Sequence, residues 1–241
     1  MPACVVSTIN VGNSAKQHAC APSLPLLSLR LGGDRMAYTT EKRLLLAIVL
    51  IAFVGLGISP KADRFTWFLE NSPVLLGLAV LLVTERYFTF SRLVYRVMCL
   101  HAMILMVGGH WTYAEVPLGD WVKDAFGLAR NHYDRLGHFA QGFFPAIIVR
   151  EVLLRCTPLR PGGWLFMLVV SVCLALSAVY EFVEWWVALV TGEAAAAFLG
   201  TQGDVWDTQW DMFLCMIGAI LSLIVLSRYH DKSMSEVFSS R

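Results

Sequence analysis

Long apolar stretches separated by short polar breaks run through most of the chain from Leu44 onward, and their lengths suit a lipid bilayer. About 20 mostly apolar residues cross the roughly 30 Å of hydrocarbon as a helix. On that measure the pattern predicts an all-α, polytopic transmembrane bundle of about six helices. The first runs from Leu44 to Ser59 and stops at Pro60, and the second starts near Pro73 after Asn71 and Ser72. That second helix has a short apolar core, Val74 to Val83, so it is expected to continue through Glu85 and Arg86 to near Phe90. The others cover Leu93 to Tyr113, Leu136 to Leu154, Trp164 to Val190 and Trp210 to Leu226. Trp111, Trp164, Trp185, Trp186 and Trp210 fall near the proposed ends, as an interfacial aromatic belt requires.

The flanks divide the chain into three parts. Residues 1–35 carry Pro22, Pro25, Gly32 and Gly33 without periodic patterning, and are expected to be disordered or an N-terminal extension preceding a true start at Met36 rather than Met1. Residues 36–228 form the transmembrane domain, and 229–241 are expected to be a cytoplasmic tail.

Composition agrees with a lipid environment. Hydrophobic residues make up 57% of the chain, above the roughly 45–50% of soluble domains, and mean hydropathy is +0.60. A net charge of +1 and no basic stripe exclude a nucleic-acid partner. Cys99, Cys173 and Cys215 lie in apolar runs, and Cys4, Cys20 and Cys156 have no CxxC partner, which removes zinc fingers and disulfide scaffolds. Basic residues retained in the cytoplasm set the orientation. One set of loops holds eleven, from Lys42 and Arg43 through Arg92, Arg155 and Lys232, whereas the opposite set holds five, Lys61, Arg64, Lys123, Arg130 and Arg135. Both termini are therefore expected in the cytoplasm, with the connections before the fourth span and between the fifth and sixth outside.

Three polar triplets stand out at that outer level. Asp134, His138 and Gln141 are spaced i, i+4, i+7, which puts them on one helix face. Ser177, Glu181 and Glu184 repeat this late in the fifth span, and Asp204, Asp207 and Asp211 line one stripe if the helix of the sixth span begins early enough. A charge at the bilayer centre costs about 2.5–3.5 kcal/mol on insertion scales, so such groups face a bundle interior. They suit a divalent-cation site, with His138, Glu181 and Asp207 as ligands for magnesium, manganese or zinc that could bind a phosphate or activate water. They equally suit a proton- or cation-linked transport path. Interhelical hydrogen bonds and ion pairs, with Asp134 or Glu181 meeting Arg135, are the structural alternative. His101 and His110 do not share a face, and Glu85 with Arg86 and Arg150 with Glu151 read as interfacial pairs near helix ends. No Walker loop, HExxH pair or Gly-x-Ser-x-Gly elbow is present, so standard soluble enzyme classes gain no support and enzymatic activity stays open.

Three blocks carry a family resemblance: Tyr133-Asp-Arg-Leu-Gly-His-Phe-Ala-Gln-Gly-Phe-Phe-Pro, Ser177-Ala-Val-Tyr-Glu-Phe-Val-Glu-Trp-Trp, and Phe198-Leu-Gly-Thr-Gln-Gly-Asp-Val-Trp-Asp-Thr-Gln-Trp-Asp-Met. Over about Lys42 to Leu226 the chain resembles the YjdF-type bacterial inner-membrane proteins, a family without an established activity. The resemblance implies a multi-pass protein of the bacterial inner membrane. The last three spans are also similar to VanZ-like membrane domains, in which Asp134, His138, Glu181 and Asp207 or Asp211 would take the places of an Asp-x-x-x-His opening one helix, a glutamate in the next and an aspartate starting the last. That likeness implies a cell-envelope role and a lipid or envelope-precursor ligand, and leaves the oligomeric state open.

Overall fold

The computed structural model describes residues 24–192 and 196–238, all of it helices and connecting turns. The order is α1 (Leu24–Ile58), α2 (Arg64–Thr84), α3 (Arg92–Trp111), α4 (Pro117–Phe126), α5 (Tyr133–Cys156), α6 (Gly163–Thr191), α7 (Ala196–Leu199) and α8 (Asp207–Phe238). The six expected spans correspond to α1, α2, α3, α5, α6 and α8. The two extra helices, α4 and α7, are too short for a search by span length to find. Of the expected 1–35 extension, residues 1–23 lie outside the described residues and the remainder is the start of α1; α8 runs on through the expected tail to Phe238.

Among the described residues, α2, α3, α6 and the Asp207–Glu236 part of α8 are long and apolar enough to cross a membrane. α1 and α5 fall short on that measure for separate reasons. The apolar run of α1 follows immediately on Glu41, Lys42 and Arg43, whereas α5 carries His138, Gln141, Arg150 and Glu151 along its length. α5 tolerates these groups because it packs against α3, α6 and α8, which turn its polar face towards protein. The outward faces of the other helices are apolar, with Leu76, Val83, Leu189 and Ile224 exposed as lipid contact demands. The molecule is a polytopic helical membrane protein.

The second helix starts nine residues earlier than the proline suggested. Asp63 caps it, its Oδ1 accepting from the backbone N–H groups of Phe65 at 2.9 Å and Thr66 at 3.0 Å. Pro73 then sits inside the helix, where it cannot donate to the carbonyl of Leu69. The hydroxyl of Ser72 donates to that carbonyl at 2.7 Å, so the proline leaves no orphan acceptor. The same helix ends at Thr84 rather than near Phe90, and Glu85 pairs with Lys42 and accepts from Tyr95 Oη at 2.6 Å, not with Arg86.

Close helix approach is concentrated in the α5–α8 seam. A Cβ on Gly142 would lie 1.8 Å from the carbonyl oxygen of Cys215, and one on Gly218 would lie 2.2 Å from that of Phe139. Backbone therefore touches backbone in both directions, in the manner of small-residue membrane interfaces. Ala146, Leu165, Val169, Cys173, Cys215, Ala219 and Leu223 fill the core below this contact.

At the end of the bundle where α5 finishes, Glu151 and His230 are wholly buried. Glu151 accepts from the Ser91 N–H at 2.9 Å, from Arg155 at 2.7 Å and from His230 at 2.9 Å, while Arg150 meets the other ring nitrogen of His230 at 2.9 Å and Asp231 at 2.8 Å. The expected Arg150–Glu151 pair is thus replaced by a clasp that ties α5 to α8 and to the loop before α3. His110 is also structural, its Nδ1 facing the carbonyl of Leu56 at 2.8 Å, and His101 is half-buried against the Phe144 ring with its Nε2 lacking a hydrogen-bond partner.

Candidate functional site

The opposite end of the bundle holds the start of α5, the end of α6 and the start of α8. Its framework is set by the loops. Asn131 accepts from the Tyr133 N–H at 3.0 Å, which caps α5, and donates to the Val116 carbonyl at 3.0 Å. Gln202 accepts from the Asn131 N–H at 3.0 Å and donates to its carbonyl at 2.9 Å, tying the loop before α5 to the loop before α8. Arg130 donates to the carbonyls of Thr201 at 3.0 Å and Gly200 at 3.1 Å and to the Asp207 carboxylate, and lies 3.8 Å from Asp134. Arg135 pairs with Asp204 at 2.5 Å and lies over the Trp210 ring. Burial, and then the Arg135 and Arg130 charges, hold the His132 imidazole in this loop below its ordinary value.

His138, one turn into α5, is the centre of the site. Its side chain is 6% exposed, with Glu181 at 5% and Asp211 at 4%. Nε2 lies 3.6 Å from Asp134 Oδ1 and 3.9 Å from Asp211 Oδ2, and Nδ1 lies 3.8 Å from Glu181 Oε1. None of these is a hydrogen bond, which would need about 2.7–3.2 Å. His138 Nδ1, Glu181 Oε1 and Asp211 Oδ1 are buried without any hydrogen-bond partner. Two groups of potential ligand atoms, Asp134–His138–Asp211 and His138–Glu181–Glu184, each lie within 4.8 Å of one another. Gln141 lies within interaction range of the His138 ring.

The structure therefore brings Asp134, His138, Gln141, Glu181, Glu184 and Asp211 together. Asp207 is within electrostatic reach of His138 with its Oδ1 taken by Arg130, while Asp211 and Glu184 join the groups of potential ligand atoms around His138. Asp204 does not join the stripe: α8 begins at Asp207, and Asp204 sits in the preceding turn, accepting from the Trp206 N–H at 2.9 Å. The expected partner of Arg135 is likewise corrected from Asp134 or Glu181 to Asp204.

Sequence reasoning missed Arg130, Glu70 and Tyr113. The i, i+4 spacing of Arg130 and Asp134 was the available sign for the first. Glu70 lay outside the expected second span, yet it is buried in α2 within electrostatic reach of Asp134 and Glu184. Gly109 allows this, since a Cβ there would lie 2.9 Å from Glu70 Cβ and 2.4 Å from the Asn71 amide. Tyr113 folds back over Gly108 because Thr112 and Tyr113 take positive φ.

Comparison with known proteins accords with this architecture. Residues 41–232 match the family described as predicted membrane protein (DUF2238). The chain belongs to the DUF2238 family. Inner membrane protein YjdF of Escherichia coli (strain K12) is 48% identical over 172 residues, which cover 71% of this chain and 82% of that relative. The DUF2238 match takes in α2, α3, α5 and α6 entirely and all the pocket residues named above. No solved structure matches. The protein is a multi-helical inner-membrane protein of the YjdF type whose activity is not established. The VanZ-like resemblance rests on the spacing of Asp134, His138, Glu181 and Asp207 or Asp211 alone.

Proposed function

We propose that this protein binds a divalent transition-metal cation in a pocket that opens to the outer face of the inner membrane, with His138 Nδ1, Glu181 and Glu184 as its ligands. The observation that carries the reading is the pair of buried, unpartnered atoms facing each other, His138 Nδ1 and Glu181 Oε1, 3.8 Å apart. Helix glue would close such a pair to hydrogen-bond distance. Tetrahedral ligands with bonds of about 2.0–2.2 Å stand roughly 3.3–3.5 Å apart, so an ion between the two atoms needs only a small rotation of either side chain. An imidazole with carboxylates suits zinc or manganese better than magnesium or calcium. His138 Nδ1 has no hydrogen-bond partner, which leaves its lone pair for the metal.

Sidedness follows from the basic residues. Six passes, α1, α2, α3, α5, α6 and α8, place both termini on one side, and the excess of lysine and arginine at that end makes it cytoplasmic. A fluorescent protein fused to the C-terminus is then expected to mature and fluoresce, and a dark fusion that becomes active with periplasmic alkaline phosphatase would reverse the assignment. Both arginines at the pocket are engaged by carboxylates and backbone carbonyls. Their Nε–H groups lack a partner, yet the carboxylate oxygens and the imidazole outnumber them, which favours a cation as the bound species over a phosphate held directly by the protein.

The test is metal content. Protein purified in detergent, saturated with zinc and dialysed should retain at least one equivalent by plasma emission spectrometry. Glu181→Gln should lose it while keeping a monodisperse elution profile. Wild-type protein at background would refute the proposal.

A further inference from the structure

The geometry points to a second cation position on the other edge of the His138 ring, held by the carboxylates of Asp134 and Asp211. The inference rests on the cation reading of the pocket and adds a site with its own ligands and its own preference. Asp134 Oδ1 and Asp211 Oδ2 lie 3.6 and 3.9 Å from Nε2, on the edge of the ring away from Glu181. The two ring lone pairs diverge, so an ion beside Nδ1 cannot also satisfy these aspartates. Asp211 Oδ1 is the independent sign: it is buried, belongs to a residue only 3% exposed, and has no hydrogen-bond partner.

Neighbouring groups do not supply that partner. Arg130 directs its Nη groups to Gly200, Thr201 and Asp207, keeps its buried Nε–H without a partner, and approaches Asp134 through the other oxygen, Oδ2, at 3.8 Å. Arg135 is paired with Asp204. Charge gives the same answer. Glu70, Asp134, Glu181, Glu184, Asp207 and Asp211 converge from four helices, and Arg130 answers Asp207. One divalent ion between Glu181 and Glu184 answers those two. Asp134 and Asp211 then share only the attraction of Arg130, 3.8 Å from Asp134 and already paired with Asp207, while Glu70 lies in electrostatic reach of Asp134, so buried carboxylates outnumber the positive charge that answers them.

The chemistry of the second position differs from that of the first. A neutral imidazole that gives its Nδ1 lone pair to the first ion carries its proton on Nε2, so the ligands are carboxylate oxygens completed by water. Such an oxygen-only set selects a hard cation, magnesium or manganese, which is commonly bound through one or two carboxylates while keeping several waters. The pocket thus pairs a nitrogen-containing site for zinc with an oxygen site for magnesium or manganese.

Manganese titrated into zinc-loaded, full-length protein in detergent, with free Mn²⁺ read by electron paramagnetic resonance, tests this. Wild type is expected to bind one Mn²⁺ per chain and to keep its zinc. Asp211→Asn, and independently Asp134→Asn, should weaken Mn²⁺ by more than about 100-fold, beyond what loss of an outer-shell partner produces, with one zinc retained. Glu184→Gln should weaken zinc instead. Zinc-loaded wild type that takes up no Mn²⁺ overturns the second position and leaves the first standing. Unchanged Mn²⁺ binding in both aspartate variants does the same. Wild type that binds neither zinc nor manganese overturns both readings.

Discussion

Gly142→Ala is the most informative single perturbation of the fold, because the atom it adds has nowhere to go. The new Cβ would stand 1.8 Å from the Cys215 carbonyl oxygen and 2.9 Å from Cys215 Cα, both on the backbone of α8. Side chains can rotate away from such a contact, but a helix backbone must translate. Reaching the 3.4 Å of ordinary contact requires α8 to withdraw by roughly 1.6 Å. Overpacking of this kind costs about 1–3 kcal/mol. The helix-propensity gain from glycine to alanine, up to about 1 kcal/mol, offsets part of it. A net loss of about 1–2 kcal/mol lowers the melting temperature of a chain this size by roughly 2–8 °C. The same displacement carries Asp211 away from Asp134, so Mn²⁺ affinity at that position should fall about tenfold or more. Gly55→Ala in α1 is the control, since a Cβ there meets nothing within 4 Å. Melting in detergent by intrinsic fluorescence, with Mn²⁺ affinity from electron paramagnetic resonance of zinc-loaded protein, reads both effects. If Gly142→Ala melts within about 1 °C of Gly55→Ala, the backbone-contact account of the α5–α8 seam is wrong.

Other perturbations separate the framework from the pocket. Arg130→Ala leaves Asp207 buried and unpaired and should destabilise by about 3–5 kcal/mol in a denaturant or thermal series, and Arg130→Lys should recover little because a single ammonium cannot reach two carbonyls and a carboxylate together. Glu151→Ala strips the clasp at the other end and should cost a similar 3–5 kcal/mol while leaving zinc stoichiometry intact, so loss of metal in a still-folded Glu151→Ala protein would contradict the separation of the two centres. Asp63→Ala removes the α2 cap and should cost about 1 kcal/mol. Hydrogen bonds from Thr66 and Phe65 hold the Asp63 carboxyl below its ordinary value, so its contribution is complete above the unfolded value near 4 and is lost as pH falls through the lower folded value. The melting difference between wild type and Asp63→Ala should accordingly be present at pH 6 and shrink below about pH 4.

Much of this arrangement is legible in the residue pattern because membrane helices are governed by few rules. The i, i+4, i+7 spacing of Asp134, His138 and Gln141, and of Ser177, Glu181 and Glu184, puts those groups on inward faces whatever the details of packing, and the structure brings them together. Local capping decided what the pattern missed. Pro73 looks like a helix start, but Asp63 offers a better one, and Ser72 removes the penalty of an interior proline by donating to the Leu69 carbonyl. Placing the helix start too late hid Glu70 from the pocket. Asp207 and Asp211 share a face only from the point where α8 begins, which excludes Asp204, and Arg130 then claims Asp207 through a loop contact that no periodicity encodes. The clasp of Glu151 with His230 joins residues 79 positions apart, and nothing in either local sequence announces it.

X-ray absorption at the zinc edge of the loaded protein tests the central claim most directly. The account predicts a nitrogen and oxygen shell at about 2.0–2.1 Å with the outer-shell scattering of a single imidazole, which disappears in His138→Ala and weakens in Glu181→Gln. A sulfur shell near 2.3 Å, or a spectrum unchanged by His138→Ala, would place the metal elsewhere and contradict it.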